Sequence, residues 1–257
     1  MVTAHHTGPN PDQAQSPIVG RIEHWQPGEL TPHSHAKHQL MYANKGVIHV
    51  STTTGEWLLP PSRAIWINAG TQHSFRVKRP AETNVLYVNP KRYRLSEGQQ
   101  CKVVNVSPLV RELILSCADL PWDQLNSAQE RLAHVLIDQI QILDQAPVDL
   151  PLPTDPRALR VVRILRDEPA NREPLNTLAK RVGASARTVE RLFARETTLS
   201  FGAWRHQQRL IFAMERLAYG DSVTRVALDV GYKSASAFVV AFRAQFGTTP
   251  AQYFKAR

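Results

Sequence analysis

The chain of 257 residues is long enough for one large domain or two ordinary ones, and its two cysteines make neither a disulfide framework nor a zinc-binding spacing. The N-terminal sequence is polar and no run of about 18 apolar residues follows it, so we expect no signal peptide, no membrane span and a cytoplasmic location. The formal net charge of +9 lies in the last hundred residues, where 17 Lys and Arg stand against 8 Asp and Glu, which indicates a second domain that faces a polyanion.

The first half of the chain has the pattern of β-structure. Residues 1–17 are polar and contain prolines, so we expect a disordered tail there. In residues 18–106, short β-rich runs such as "VIHVST", "AIWINA" and "NVLYV" are separated by Gly, Pro and Asn. Many short strands at close intervals favour an antiparallel barrel or sandwich, and we assign residues 18–143 to this domain with its flanking helices.

Two amphipathic helices are predicted after the strands. The first, "SPLVRELILSC", begins with Ser107 as its N-cap and carries an apolar stripe through Leu109, Leu113 and Ile114. The second, "SAQERLAHVLIDQIQIL", begins with Ser127 as its cap. Its predicted apolar face consists of Leu132, Val135, Leu136, Gln139, Ile140 and Leu143. The second helix either packs on its own barrel or forms a dimerisation surface.

A proline-rich segment, residues 144–157, separates the two halves, and its composition predicts a semi-extended linker. Beyond it, residues 158–257 read as helix, so the expected fold is α+β with two domains. Two segments of this second domain repeat each other, "LAKRVGASARTVERLFARETTLSFGAW" and "VALDVGYKSASAFVVAFRAQFGTTPAQY". The first runs from Leu178 to Trp204 and the second from Val226 to Tyr253, and the helical motifs to which they belong are predicted at about residues 175–196 and 223–246.

Each repeat has the pattern of a helix-turn-helix motif. A short helix is followed by Gly183 or Gly231, where the chain turns sharply and only glycine takes a positive φ without strain. Ser185 or Ser234 then caps a second helix whose apolar residues are four apart. The second helix of such a motif can lie in the major groove of DNA. Two copies in a basic domain therefore indicate a DNA-binding function.

The second repeat, "GYKSASAFVVAFRAQFGTTPAQY", resembles the signature of the AraC/XylS family of transcriptional regulators, and matching residues extend from about Leu159 to Phe254. The resemblance implies that a long helix, here about Phe201 to Ala218, joins the two motifs and that both recognition helices enter successive major grooves. Thr198 departs from the family pattern, which often has glycine at this position of the first motif.

Exposed positions on the two recognition helices are the predicted DNA contacts. In the first helix, arginine spacing fits a helix in a groove, and arginine can bind guanine O6 and N7 with two hydrogen bonds. The alternative is that these arginines bind only phosphates. The second helix offers little hydrogen bonding, so we expect the first motif to carry most of the sequence readout. The predicted contacts are Arg187, Glu190, Arg191 and Arg195 in the first motif, and Lys233, Ser234, Ser236, Val240 and Arg243 in the second.

In the first half, "GELTPHSHAKHQLMYANKG" and "WINAGTQHSF" resemble the two motifs of the cupin β-barrel. The resemblance places His33, His35 and His73 at the three histidine ligand positions of metal-binding cupins. Gln39 stands where those cupins have Glu, and a neutral amide is a weaker ligand for a divalent ion. His38 is out of phase with its neighbours on a continuous strand and is expected to point outward.

Three interpretations of this cluster stay open. We expect an effector-binding pocket formed by His33, His35, Gln39 and His73 that requires no cofactor. The alternatives are a divalent metal bound by His33, His35 and His73, and histidines that serve only the structure.

The expected function is a sequence-specific transcriptional regulator whose cupin-like domain binds a small effector and alters promoter binding by the tandem helix-turn-helix domain. The expected partners are double-stranded promoter DNA, the effector, a second copy bound through the N-terminal domain and RNA polymerase. The competing hypothesis is a metal-dependent cupin enzyme fused to a DNA-binding module. The replacement of Glu by Gln39 argues against an enzyme, and a domain that only dimerises is a third possibility.

Overall fold

The computed structural model describes residues 9–53, 55–93, 101–146 and 148–255. Its N-terminal unit ends at Asp149, and its C-terminal unit begins at Leu150. None of the helices in these described ranges is both long and apolar enough to cross a membrane.

Within the described ranges, ten strands form two five-stranded sheets, with the orders β1-β8-β3-β6-β9 and β10-β5-β4-β7-β2. The N-terminal domain is therefore β-sandwich-like, which is one of the two arrangements that the strand pattern favoured. Apolar side chains on both sides of the first sheet explain the arrangement, because one side faces the sandwich interior and the other is covered by helices. The strands are β1 Ile18–Trp25, β2 Gly28–His33, β3 His38–Lys45, β4 Ile48–Thr52, β5 Gly55–Leu59, β6 Arg63–Ile67, β7 His73–Val77, β8 Ala81–Val88, β9 Cys101–Asn105 and β10 Asp149–Pro151.

The two predicted helices after the strands are present as α1 Pro108–Ala118 and α2 Ser127–Gln141. Ser107 caps α1 as predicted, and its hydroxyl accepts a hydrogen bond from the backbone N–H of Val110. The predicted stripe was wrong at Leu109, which is 55% exposed. The buried side of α1 lies one residue further along the helix, at Val110.

The cap and the apolar face predicted for α2 were partly wrong. Asn126, not Ser127, caps the helix, because its side chain accepts from the first backbone amides and Gln129 bonds back to the amide of Asn126. Val135, predicted on the packed face, is 45% exposed, and the small Ala133, which was not predicted, is buried on that face. That face consists of Ala133, Leu136, Ile137 and Ile140.

The C-terminal unit is helical, and both helix-turn-helix motifs are present as predicted. Ser185 and Ser234 cap the second helices of the motifs, and Gly183 and Gly231 have φ values of 70° and 86°. The helices are α3 Pro156–Asp167, α4 Leu175–Arg181, α5 Ala186–Thr197, α6 Phe201–Ala218, α7 Val223–Asp229, α8 Ala235–Phe246 and α9 Pro250–Lys255. The long connecting helix α6 has the bounds that the resemblance implied.

The second part of the predicted linker is not a free segment, because it packs against the C-terminal unit. Leu150 is buried in the core of that unit. The indole N–H of Trp204 donates to the carbonyl oxygen of Pro151 at 2.7 Å. The Glu196 carboxylate accepts from the backbone amides of Thr154 and Asp155 at 2.8 and 3.0 Å. Because these hydrogen bonds join residues that are far apart in the chain, the periodicity of the sequence does not predict them.

The tail predicted for residues 1–17 is ordered over its described part, and residues 1–8 lie outside the described residues. A short 3-10 helix spans Pro11–Gln13. The ammonium group of Lys37 is buried and donates to the carbonyl oxygens of Ala14 and Ser16 at 2.9 and 3.2 Å. The Asp12 carboxylate accepts from the backbone amide of Lys37 at 3.2 Å. A polar composition thus predicted disorder where hydrogen bonds to a neighbouring loop stabilise the segment.

Candidate functional site

His33 and His73 lie opposite each other on neighbouring strands. β2 pairs with β7 in a register that joins Leu30 to Phe75 and His33 to His73. From one pair to the next, β2 advances by three residues and β7 by two, so β2 contains a β-bulge. Pro32 lies in this bulge and is tolerated because β2 is an edge strand. The bulge brings His33 into register with His73, and their ring centroids are 4.4 Å apart.

His35 completes the cluster from the loop between β2 and β3. Since β2 ends at His33, the side-chain alternation of a strand does not determine where His35 points. The His35 carbonyl accepts from the backbone amide of Gly70 at 2.8 Å, which fixes this loop. Its ring centroid lies 5.1 Å from that of His33 and 5.6 Å from that of His73. One ring nitrogen from each of the three histidines lies within 4.8 Å of the others.

Gln39 lies on β3 and is only 2% exposed. It pairs with Tyr87 across the first sheet, and the Tyr87 ring contacts that of His35 at a centroid distance of 5.0 Å. The amide oxygen of Gln39 has no hydrogen-bond partner among the described residues. His38, one residue earlier, accepts from the backbone amide of Ala69 at 3.0 Å and packs on Trp66. Since Trp66 belongs to the helix-covered side of the sheet, His38 faces outward as predicted.

An ion pair and a phenol extend the polar interior. The Arg21 guanidinium bonds to the Glu23 carboxylate at 2.8 Å and donates to the Tyr87 hydroxyl at 3.0 Å. Burial raises the pKa of Glu23, and the charge of Arg21 opposes this effect. These residues were not predicted as part of the site. The signal was present in the strand alternation of "IVGRIEHW", which places Arg21 and Glu23 on the side of buried Trp25.

An open cleft of about 390 Å³ adjoins the histidines, a volume within the range of small-molecule sites. It is lined by Pro9, Asn10, Pro11, Arg21, Leu30, Thr31, His33 and His35. Burial lowers the pKa of His73 to about 4, the hydrogen bond to the Thr71 carbonyl opposes this shift, and the nearby His33 and His35 add to it. At neutral pH the His73 imidazole is therefore uncharged and can offer a nitrogen lone pair.

The first recognition helix, α5, exposes Arg187 and Arg191 one turn apart. Neither guanidinium forms an ion pair with any of the described residues. Two other predicted DNA contacts have partners within the protein. The Glu190 carboxylate accepts from the backbone amide of Phe201 at 3.2 Å, and Arg195 pairs with the Glu196 carboxylate. Arg187 and Arg191 are thus the more available pair for DNA.

The second recognition helix, α8, exposes an apolar and weakly polar surface. Val240 is 71% exposed, and Lys233, Ser236 and Arg243 are exposed as well. The Ser234 hydroxyl is 3.2 Å from the backbone N–H of Ala237, from which it accepts as the helix cap. This surface is suited to van der Waals contact with thymine methyl groups and to phosphate contacts at its ends.

Comparison with known proteins gives two family matches. A model described as "Helix-turn-helix domain" matches residues 178–256, and one described as "AraC-like ligand binding domain" matches residues 21–141. The chain is 34% identical to the HTH-type transcriptional regulator NimR of Escherichia coli, over 96% of this chain and 90% of NimR. It is 24% identical to the HTH-type transcriptional activator RhaS of Escherichia fergusonii, over 90% of this chain and 89% of RhaS.

A sandwich with a polar cleft and a basic domain with two helix-turn-helix motifs define a ligand-responsive DNA-binding protein. Together with the likeness to NimR over nearly the whole of both chains, they identify the family. The chain belongs to the AraC family of transcriptional regulators, with an AraC-like ligand-binding domain followed by a helix-turn-helix DNA-binding domain.

Proposed function

We propose that His33, His35, Gln39 and His73 form the effector site of this regulator. The observation that carries the proposal is the convergence of three imidazoles beside an open cleft. Unpartnered buried acceptors on Gln39 and His73 support it, because a buried polar group without a partner is destabilising by about 1–3 kcal/mol unless a ligand satisfies it. Such groups are few in native structures, and a bound ligand, ion or water is one explanation for them.

DNA recognition is proposed to depend chiefly on the first motif. Arg187 and Arg191 have the side-chain chemistry to read guanine, and they are exposed on one side of α5. In the second motif, Lys233, Ser234 and Arg243 bind phosphates, while Ser236 and Val240 lie against base edges. Glu190 and Arg195 support the position of α5 through their partners within the C-terminal unit, and they are secondary for DNA contact.

A homodimer formed through the N-terminal domain is the proposed assembly. Three apolar side chains on or next to α1 and α2 are exposed: Leu109 at 55%, Val135 at 45% and Ile142 at 73%. Burying these side chains against a second copy would remove apolar area from water. The DNA-bound dimer would then present its surface to RNA polymerase at the promoter. Sedimentation of the wild-type chain and of Val135→Asp tests the assembly, and an unchanged monomeric mass in both would contradict it.

We also propose that this regulator has no catalytic activity. The names of its relatives, which describe transcriptional regulators, support the proposal. The glutamate of metal-dependent cupin enzymes is replaced by Gln39, which supplies no carboxylate for proton transfer. Glu23, the buried carboxylate near Tyr87, is engaged by Arg21.

The effector site is tested in a reporter strain that carries a promoter found by genome-wide mapping of bound DNA. His35→Ala and Gln39→Leu are expected to abolish the response to inducing growth conditions, and the purified variants should still bind the promoter. His24→Ala is the matched control, because His24 is an exposed histidine of the same domain. An unchanged response in both site variants would mean that the effector binds elsewhere.

A further inference from the structure

His33 and His73 share the local sequence Thr-x-His and the same local hydrogen bond. Nδ1 of His33 lies 2.9 Å from the carbonyl oxygen of Thr31, and Nδ1 of His73 lies 2.8 Å from that of Thr71. A carbonyl oxygen can only accept, so in each uncharged ring Nδ1 carries the proton and Nε2 keeps its lone pair. Histidines that bind metal ions are oriented by bonds of this kind to a carbonyl or carboxylate.

The buried end of the cluster has an unused ligand atom. Nε2 of His73 has no hydrogen-bond partner among the described residues, and the side chain is only 2% exposed. One ring nitrogen from each histidine lies within 4.8 Å of the other two. An ion bound at about 2.1 Å from each nitrogen would hold the three nitrogens roughly 3–3.5 Å apart. The upper limit of 4.8 Å is larger than this spacing, so binding would require the half-buried rings of His33 and His35 to move closer to His73.

The surrounding groups select the class of ion. Three imidazoles suit zinc, copper, iron and nickel, whereas magnesium, calcium and manganese prefer carboxylates and carbonyl oxygens. The Gln39 amide oxygen, buried on the neighbouring β3, is neutral as well. The Asp12 carboxylate lies 4.0 Å from Nδ1 of His35. In histidine metal sites, a carboxylate often supports the ring nitrogen that does not bind the metal.

We propose that His33, His35 and His73 bind one divalent transition-metal ion of the zinc, nickel and copper class, and that this ion is part of the proposed effector site. The inference rests on that site, since the same side chains form both. Because an imidazole that binds a metal does so as a neutral ligand, three of them would leave the ion its double positive charge. A small effector with a carboxylate or another anionic group is therefore the ligand class that the occupied site favours.

The test uses the untagged full-length protein, treated with a chelator and then titrated with Zn²⁺ or Ni²⁺ alone. We expect one ion per chain by calorimetry and by elemental analysis. The visible spectrum with Co²⁺ should show nitrogen and oxygen ligation without a thiolate band, a readout on the wild-type protein that does not depend on the folding of a variant. His73→Ala should weaken binding by more than about 100-fold, the upper end of the loss caused by removing a supporting partner.

Two controls separate this site from other histidines of the chain. His24→Ala and the double variant His5→Ala/His6→Ala should bind the ion as the wild type does. Gln39→Glu should raise the affinity, because it supplies a carboxylate ligand. The absence of stoichiometric binding in the wild type, or an affinity unchanged in His73→Ala, would overturn the metal site. If binding fails while His35→Ala and Gln39→Leu still abolish the reporter response, the metal is excluded and the effector site stands.

Discussion

The carboxylate of Glu190 on α5 accepts a hydrogen bond from the backbone N–H of Phe201, the first residue of α6, at 3.2 Å. This bond joins the recognition helix of the first motif to the helix that connects both motifs. The first backbone amides of a helix have no partner within it, and a negative charge near them is favourable. Glu190 therefore stabilises the position of α5, although its exposed place in the sequence pattern suggested a contact with DNA.

Replacing Glu190 tests this structural role. Glu190→Ala should lower the free energy of unfolding by about 1 kcal/mol, the typical contribution of one hydrogen bond with a cap-like charge effect. Glu190→Gln keeps an acceptor oxygen and should lose less. Denaturant unfolding of the full-length variants measures the difference. A change of preference at one base pair in a binding-site selection, without any loss of stability, would instead assign Glu190 to base readout.

Thr198 ends α5 with a φ of 61°, and Gly247 ends α8 with a φ of 79°. A β-branched residue in the left-handed region is strained by about 1–2 kcal/mol, and glycine is not. Thr198→Gly should therefore raise the melting temperature, even though glycine adds about 0.5–1 kcal/mol of unfolded-state entropy. Gly247→Ala should lower it. A melting temperature that is unchanged or lower in Thr198→Gly would mean that the left-handed geometry contributes no strain at Thr198.

The two motifs were predictable because their information is local. Glycine at a turn with positive φ and serine at a helix cap identify each motif within about ten residues, and the structure has Gly183, Ser185, Gly231 and Ser234 in these roles. The arrangement of the histidines was predictable only in part. His33 and His73 come into register through a bulge at Pro32, and a bulge changes strand phase without a periodic signal.

Contacts between distant residues account for most of what the sequence did not predict. Asp12 accepts from backbone amides of the loop after β2, which orders a segment whose composition suggested disorder. Arg21 reaches Tyr87, 66 residues further along the chain. Glu196 binds the backbone before α3, so the end of the proline-rich segment belongs to the C-terminal unit. Such pairs depend on the folded topology, which composition and periodicity do not contain.

Arg187→Ala and Arg191→Ala should each weaken binding to the promoter site by about 1–3 kcal/mol and relax the preference at one base pair. Arg195→Ala should have a smaller effect, because its guanidinium pairs with Glu196. Fluorescence anisotropy with specific and random duplexes at several salt concentrations measures the loss of affinity, the loss of sequence preference and the salt dependence of binding. If each variant weakens both duplexes equally and reduces the salt slope by about 1, the arginine binds phosphate and reads no base.

The footprint of the full-length protein on DNA tests how the two motifs act together. α6 is a continuous helix of 18 residues between them, and α5 and α7 both pack against it, so the two recognition helices are held in a fixed relation. Each half-site of the footprint should then contain two protected major-groove segments about 10 base pairs apart on one side of the DNA. Hydroxyl-radical cleavage measures this spacing.

Val240→Asp should weaken protection of one segment only, because a carboxylate on the exposed surface of α8 repels phosphate and leaves α5 unchanged. Protection of a single segment in the wild type, or loss of both segments in Val240→Asp with α5 still folded, would show that the second motif does not occupy a groove of its own.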